Sequence, residues 1–192
     1  KVFPGGHITV AGANSAASLA SRPIRTVLCD EVDRYPPSAG TEGDPVSLAV
    51  KRTTTFWNRK IGLWSTPTIK GISRIEAAYE ESDQRRFWVP CPFCGEYQFL
   101  EWSHVKWEKG HPETARYECC KCEKQWTDAQ RWNAVRKGKW RASADFTGTA
   151  GFHIWEAYSS WVRLEHSVRS FLAAKNHRER LKIWVNTVLG ET

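Results

Sequence analysis

Apolar and polar positions alternate in short blocks through the first 90 residues. His7–Ala11 carries Ile8 and Val10, Ile24–Cys29 is a second apolar run, Lys60–Trp64 holds Ile61 and Leu63, and Arg86–Val89 is a fourth such block. Each predicts a strand. Helix signals lie between them. Asn14–Ser21 is rich in small residues and is stopped by Pro23. Asp44-Pro45 places an acceptor side chain at an N-cap and proline at the first helical position, and Val46, Leu48, Ala49 and Val50 follow. Ser73-Arg74-Ile75-Glu76 is a capping box that predicts a helix through about Ser82. Strands and helices alternating at these lengths predict right-handed crossovers and an α/β fold with a mostly parallel sheet.

Residues 91–126 break that rhythm, being rich in Cys, Trp, Glu and Lys with short strand-like pieces. A helix is predicted from about Thr127 to Lys137. Residues 142–151, with Asp145, Gly148 and Gly151, predict a loop. Trp161, Leu164, Val168, Phe171 and Leu172 follow helical spacing, as do Leu181, Trp184, Val185, Val188 and Leu189, with Gly190 where a helix-ending glycine belongs. No internal repeat is present. The expected organisation is a core over 1–90, a cysteine-rich module over 91–126, and a helical or mixed end over 127–192.

Composition narrows the class. Of 192 residues, 41% are hydrophobic and 11 are Trp, which excludes a disordered chain. No run of about 18 apolar residues exists, so no membrane partner is expected. Net charge is +7. The excess is spread evenly along the chain, so it permits a polyanionic partner without arguing for one. The densest basic run, Arg131 to Arg141, interleaves Trp132 and Trp140. It reads as a solvated helix end whose tryptophans face the core, or as a site that holds phosphates and stacks bases. Met is absent, which suggests a piece of something longer.

Two candidate sites stand out. Cys91-Pro-Phe-Cys94 and Cys119-Cys120-Lys-Cys122 both contain C-x-x-C. Two such turns complete a tetrahedral Cys₄ site for structural Zn²⁺, with Cys91, Cys94, Cys119 and Cys122 as ligands and no open position for catalysis. A redox pair and disulfides are the competing uses. Cys120 is left over, and Cys29, inside a strand, reads as a small hydrophobe. The second site is Thr26-Val27-Leu28-Cys29-Asp30-Glu31. It delivers two carboxylates at the C-terminal end of a strand, the edge where open parallel sheets bind ligands. In P-loop nucleoside triphosphatases the first such carboxylate serves Mg²⁺ and a neighbouring one orients the attacking water. Asp30 and Glu31 are the candidates for those roles. The next strand ends Ser65-Thr66-Pro67-Thr68, whose hydroxyls could reach a γ-phosphate; turn chemistry explains the same residues. The chain contains no G-x-x-x-x-G-K-[ST] loop.

With these residues in view, the chain resembles the large subunit of lambda-type tailed-phage terminases. The resemblance is carried by Gly12-Ala13-Asn14-Ser15, Leu19 to Pro23, Asp30-Glu31-Val32-Asp33 with Tyr35-Pro36, and Glu42 to Pro45. It continues through Lys51 to Phe56, Ser65 to Gly71, Cys91 to Gly95, Gly148 to His153 and Asn186 to Glu191. It implies a P-loop ATPase core that lacks its phosphate-loop strand, with an inserted zinc-ribbon-like module and C-terminal helices. It also implies an ATP-hydrolysing motor that packages double-stranded DNA into the capsid. Asp30-Glu31 would be the Walker B pair. Asp30, Ser65, Thr66 and Thr68 would bind ATP with Mg²⁺, and Ser65 to Thr68 would couple hydrolysis to DNA movement. Arg22 and Arg52 are, by analogy, candidates for an arginine acting in trans. The lysine loop is expected before Lys1 and the endonuclease after Thr192, so this chain alone is expected to be inactive. The implied partners are double-stranded DNA, the terminase small subunit, the portal protein and further copies in a ring, in the host cytoplasm. A zinc-ribbon module docking nucleic acid or protein from an inert α/β scaffold is the alternative.

Overall fold

A computed structural model describes residues 1–192, which divide into two compact units, Lys1–Ser65 and Thr66–Thr192. No helix is long and apolar enough to cross a membrane.

The first unit opens with a hairpin of β1 (Val2–Phe3) and β2 (Gly6–His7). Gly5 turns it with φ +84°, a conformation open to glycine. The predicted strand at His7–Ala11 is therefore corrected. Pairing is spent on the tight hairpin, and Val10 is left 94% exposed. Helix α1 (Ala16–Ala20) is capped by Ser15, whose hydroxyl accepts from the Ser18 N–H. Strand β3 (Thr26–Asp30) buries Val27 and Cys29 on one face and shows Leu28 on the other. Helix α2 (Pro45–Lys51) begins as predicted, with Asp44 accepting from the Ser47 N–H at 2.8 Å. It packs on α1 and β3. Strand β4 (Lys60–Trp64) lies parallel to β3, with Thr26 opposite Lys60 and Asp30 opposite Trp64.

The second unit begins with α3 (Arg74–Glu80). Ser73 caps it, but Glu76 reaches back past the cap to the Gly71 N–H. Strand β5 (Arg85–Pro90) then centres a four-stranded sheet. The sequence placed this strand in the parallel sheet with the other three. Instead it pairs antiparallel with β6 (Tyr97–Phe99), because the C-x-x-C turn between them reverses the chain at once. A separate antiparallel sheet holds β7 (Val105–Glu108), β8 (His111–Glu118) and β9 (Gln125–Trp126). Helix α4 (Asp128–Val135) follows, with a full capping box between Thr127 and Gln130. Strand β10 (Lys139–Arg141) returns antiparallel to β5. Strand β11 (Phe152–His153) joins β5 in parallel, on the edge shared with β6.

The intervening loop is pinned to the start of β5. Asp83, with no accessible surface, accepts the Gly151 N–H and the Arg85 Nε–H through its carboxylate. Its carbonyl accepts from Ser143 and Ala144, and its N–H donates to Thr149. Gly151 permits this approach, since a Cβ there would meet the Ser82 hydroxyl at 1.9 Å. Two helices close the unit, α5 (Leu164–Ala174) and α6 (Arg178–Trp184). Trp161, predicted on the first of them, precedes it and is 94% exposed. The second passes into a wider turn over Val185–Leu189 that ends at Gly190, φ +65°. The core gathers Val89, Tyr117, Trp126, Trp155, Leu164 and Val168 from both sheets and the helices.

Candidate active site and metal centre

The apolar run of β3 ends where solvent begins. Asp30 is its last residue and Glu31 the first beyond it, and both are exposed. Glu31 has φ 54°, ψ 48°, left-handed backbone that a non-glycine residue seldom adopts. The chain then turns into a short 3₁₀ segment, Val32–Arg34, anchored by fully buried Val32. Parallel pairing brings the end of β4 alongside. The Ser65 hydroxyl faces a Glu31 carboxylate oxygen at 3.5 Å and accepts the Asp33 N–H at 3.3 Å. Asp30, Glu31 and Ser65 thus share one carboxyl-end edge. Oxygen ligands of this kind suit a hard divalent ion such as Mg²⁺. Thr66 and Thr68 open the second unit and are half-buried. Beneath the edge the Cys29 thiol is pushed up by burial, and Tyr35 hydrogen-bonds it. Arg22 is exposed, whereas the Arg52 guanidinium donates to the Ala20 carbonyl and helps fasten α1.

The cysteine pairs converge within the second unit. Cys91 and Cys94 sit on the β5–β6 turn, and Cys119 and Cys122 on the β8–β9 turn. The four Sγ atoms lie within 4.8 Å of one another. Cys91 to Cys122 is 3.7 Å and Cys94 to Cys119 is 3.8 Å. A tetrahedron with Zn–S near 2.3 Å has edges of about 3.8 Å, so the set has the right size for Zn²⁺. Burial pushes the Cys91 thiol up to about 12. Cys119 falls to about 6: burial opposes ionisation, but the Cys122 and Lys121 N–H groups and the Gln98 amide, all donating to its sulfur, outweigh it. Gln98 is the residue that spacing could not reveal. It is 4% exposed, donates to Cys119 Sγ at 3.3 Å and accepts the Cys120 N–H at 3.0 Å. Cys120 itself is exposed and outside the cluster.

The basic run divides. Arg131 has no accessible surface, contrary to a solvated helix end. It pairs with Asp128 and donates to the carbonyls of Ala157, Ser159 and Val162. Trp132 is half-buried and donates to the Ser159 carbonyl, while Trp140 packs on Phe87 and Phe152.

Comparison with known proteins places the chain. The family model described as phage terminase large subunit gpA, ATPase domain, matches residues 1–140. This chain belongs to the phage terminase large subunit family. A second model, terminase large subunit gpA, endonuclease domain, matches residues 149–192. The endonuclease match thus begins inside the chain, which corrects the expectation of a nuclease lying beyond Thr192. Among curated relatives, the terminase large subunit of Enterobacteria phage P21 is 35% identical over 206 residues. That of Escherichia phage lambda is 30% identical over 207 residues. Each alignment covers 94% of this chain and 32% of the relative, so the chain spans about a third of their length. No solved structure matches. The docking-module alternative gains nothing from these matches.

Proposed function

We propose that the chain is part of an ATP-hydrolysing motor that packages double-stranded DNA into a capsid, with Asp30 and Glu31 as its acidic pair. The observation that carries this is the parallel pairing of β3 and β4, which sets Asp30, Glu31 and Ser65 on one edge. By this reading the sheet is the remnant of a P-loop core. Asp30 holds the Mg²⁺ that accompanies ATP, an ion that offsets charge on the phosphates. Glu31 orients the attacking water and accepts its proton, and the Ser65 hydroxyl steadies that carboxylate. Thr66 and Thr68 are assigned to the nucleotide on the resemblance alone. Cys91, Cys94, Cys119 and Cys122 hold a structural Zn²⁺ that ties the two turns together.

The module boundaries read from the sequence, 1–90, 91–126 and 127–192, belong to this proposal. So do the terminase small subunit, the portal protein and a ring of copies as partners in the host cytoplasm. The test is Glu31→Gln in the full-length protein. ATP turnover should fall by at least about 100-fold while nucleotide binding persists. Turnover close to that of the unaltered protein would remove Glu31 from the role.

A further inference from the structure

The sheet centred on β5 has two unlike faces. Phe87, Val89 and Gln98 point into the core, while Arg86 and Trp88 point the other way. Residues directly opposite across paired strands share a face. Register therefore adds Lys139 and Arg141 from β10, and Phe99 and Tyr97 from β6. The result is a ladder of rings and cations. The Arg141 guanidinium lies over Trp88 at 5.0 Å and over Tyr97 at 4.7 Å, and Arg86 lies over Phe99 at 4.9 Å. Trp88 meets Phe99 edge-on at 5.3 Å.

Lys139 and Arg141 are exposed, and the three rings are half-buried beneath the cations. At the β11 end the face is closed, because His153 hydrogen-bonds the Leu189 and Gly190 carbonyls. A cavity of about 320 Å³ lies there between Arg86, Glu101 and Glu191. At the β6 margin Glu96 is taken up by Lys121 at 2.6 Å. The open part therefore carries Lys139 and Arg141, neither of which is ion-paired to a carboxylate, while Arg86 sits at the closed end.

We infer that this outer face binds a single strand of DNA, a surface that rests on the DNA-handling reading above and adds a strand-binding platform to it. Unpaired bases stack on aromatic rings and on guanidinium planes, and a four-stranded sheet can seat two or three of them. A guanidinium already stacked on two rings presents a prearranged plane to the next base. Lys139, exposed on the same face, is placed to meet the phosphates between bases. A duplex hides its ring faces, so it can use the cations but not the stack.

The experiment titrates the 192-residue chain with a fluorescent 15-nucleotide oligo(dT) and with a 15-base-pair duplex over a range of salt. The single strand should bind at least tenfold more tightly than the duplex. Arg141→Lys keeps the charge and loses the plane, so affinity for the single strand should fall about tenfold with the salt slope unchanged. Lys139→Ala should lower the slope by about 0.7. The control Arg178→Ala, which removes one charge from exposed α6 as Lys139→Ala does from the sheet, should change single-strand affinity less than Arg141→Lys does. Equal binding of duplex and single strand, an Arg141→Lys protein that binds normally, or a control that matches it would each overturn the inference. Such a failure would leave Glu31 turnover untouched, and loss of the Glu31 reading would leave these titrations standing.

Discussion

Glu31 holds its carboxylate beside Ser65 only because its backbone sits in a left-handed conformation. Such a residue costs about 1–3 kcal/mol, and strain of this kind collects at sites where aim matters more than stability. Glycine removes the cost. Glu31→Gly should therefore raise the stability of the chain by up to about 1 kcal/mol, read from urea unfolding, while abolishing turnover in the full-length protein. A destabilised glycine variant would mean that the side chain, not the fold around Val32, sets the geometry. Asp30 and Glu31 were legible because an apolar run ending in two acids is a strand delivering charge to an edge. The positive φ was not legible, since nothing in Asp-Glu-Val-Asp requires it. Arg131 was misread for a related reason. In a basic run all cations look solvated, and only the three carbonyls converging from residues 157, 159 and 162 bury this one.

At the scale of elements, caps and knuckles were the readable signals. Asp44-Pro45 opens α2 as expected, and the two C-x-x-C pairs converge although they sit on different sheets. Spacing encodes such turns because each closes within a few residues. The partner strand of β5 was hidden, because register over long separations leaves no local trace. Gln98 was hidden for the same reason: an amide alternating along a short strand shows nothing of the sulfur it will meet. Outer-shell hydrogen bonds to a metal ligand typically contribute 10–100-fold to metal affinity. The purified chain should contain about one zinc by elemental analysis, lost in Cys91→Ser. Gln98→Leu should retain zinc but surrender it to a chromogenic chelator about tenfold faster. Absence of zinc from the unaltered chain would sink the Cys₄ reading, and unchanged release from Gln98→Leu would make that amide merely a core residue.

Across the whole molecule, the even spread of the +7 charge conceals its local use. Arg86 lies far in sequence from Lys139 and Arg141, and the three come to one face only through the pairing of β5 with β10. A mixed α/β chain with a small parallel sheet was readable from the alternation of blocks. The split of its strands among several sheets was not, because it depends on turns that reverse the chain rather than cross over. The family matches change from ATPase to endonuclease between residues 140 and 149, inside the loop that Asp83 fastens. That loop is exposed, with Phe146 at its tip 62% accessible, so a protease can cut it. Cutting it need not part the pieces. Strands β10 and β11 lie on either side of the break and both remain paired to β5. Cleavage near Phe146 should give two fragments on a denaturing gel that still elute together as one particle from a sizing column, and fragments eluting apart would show that the peptide link itself is what holds them. The stretch where one domain signature gives way to the next is thus a seam stitched by hydrogen bonds on both sides of an exposed link.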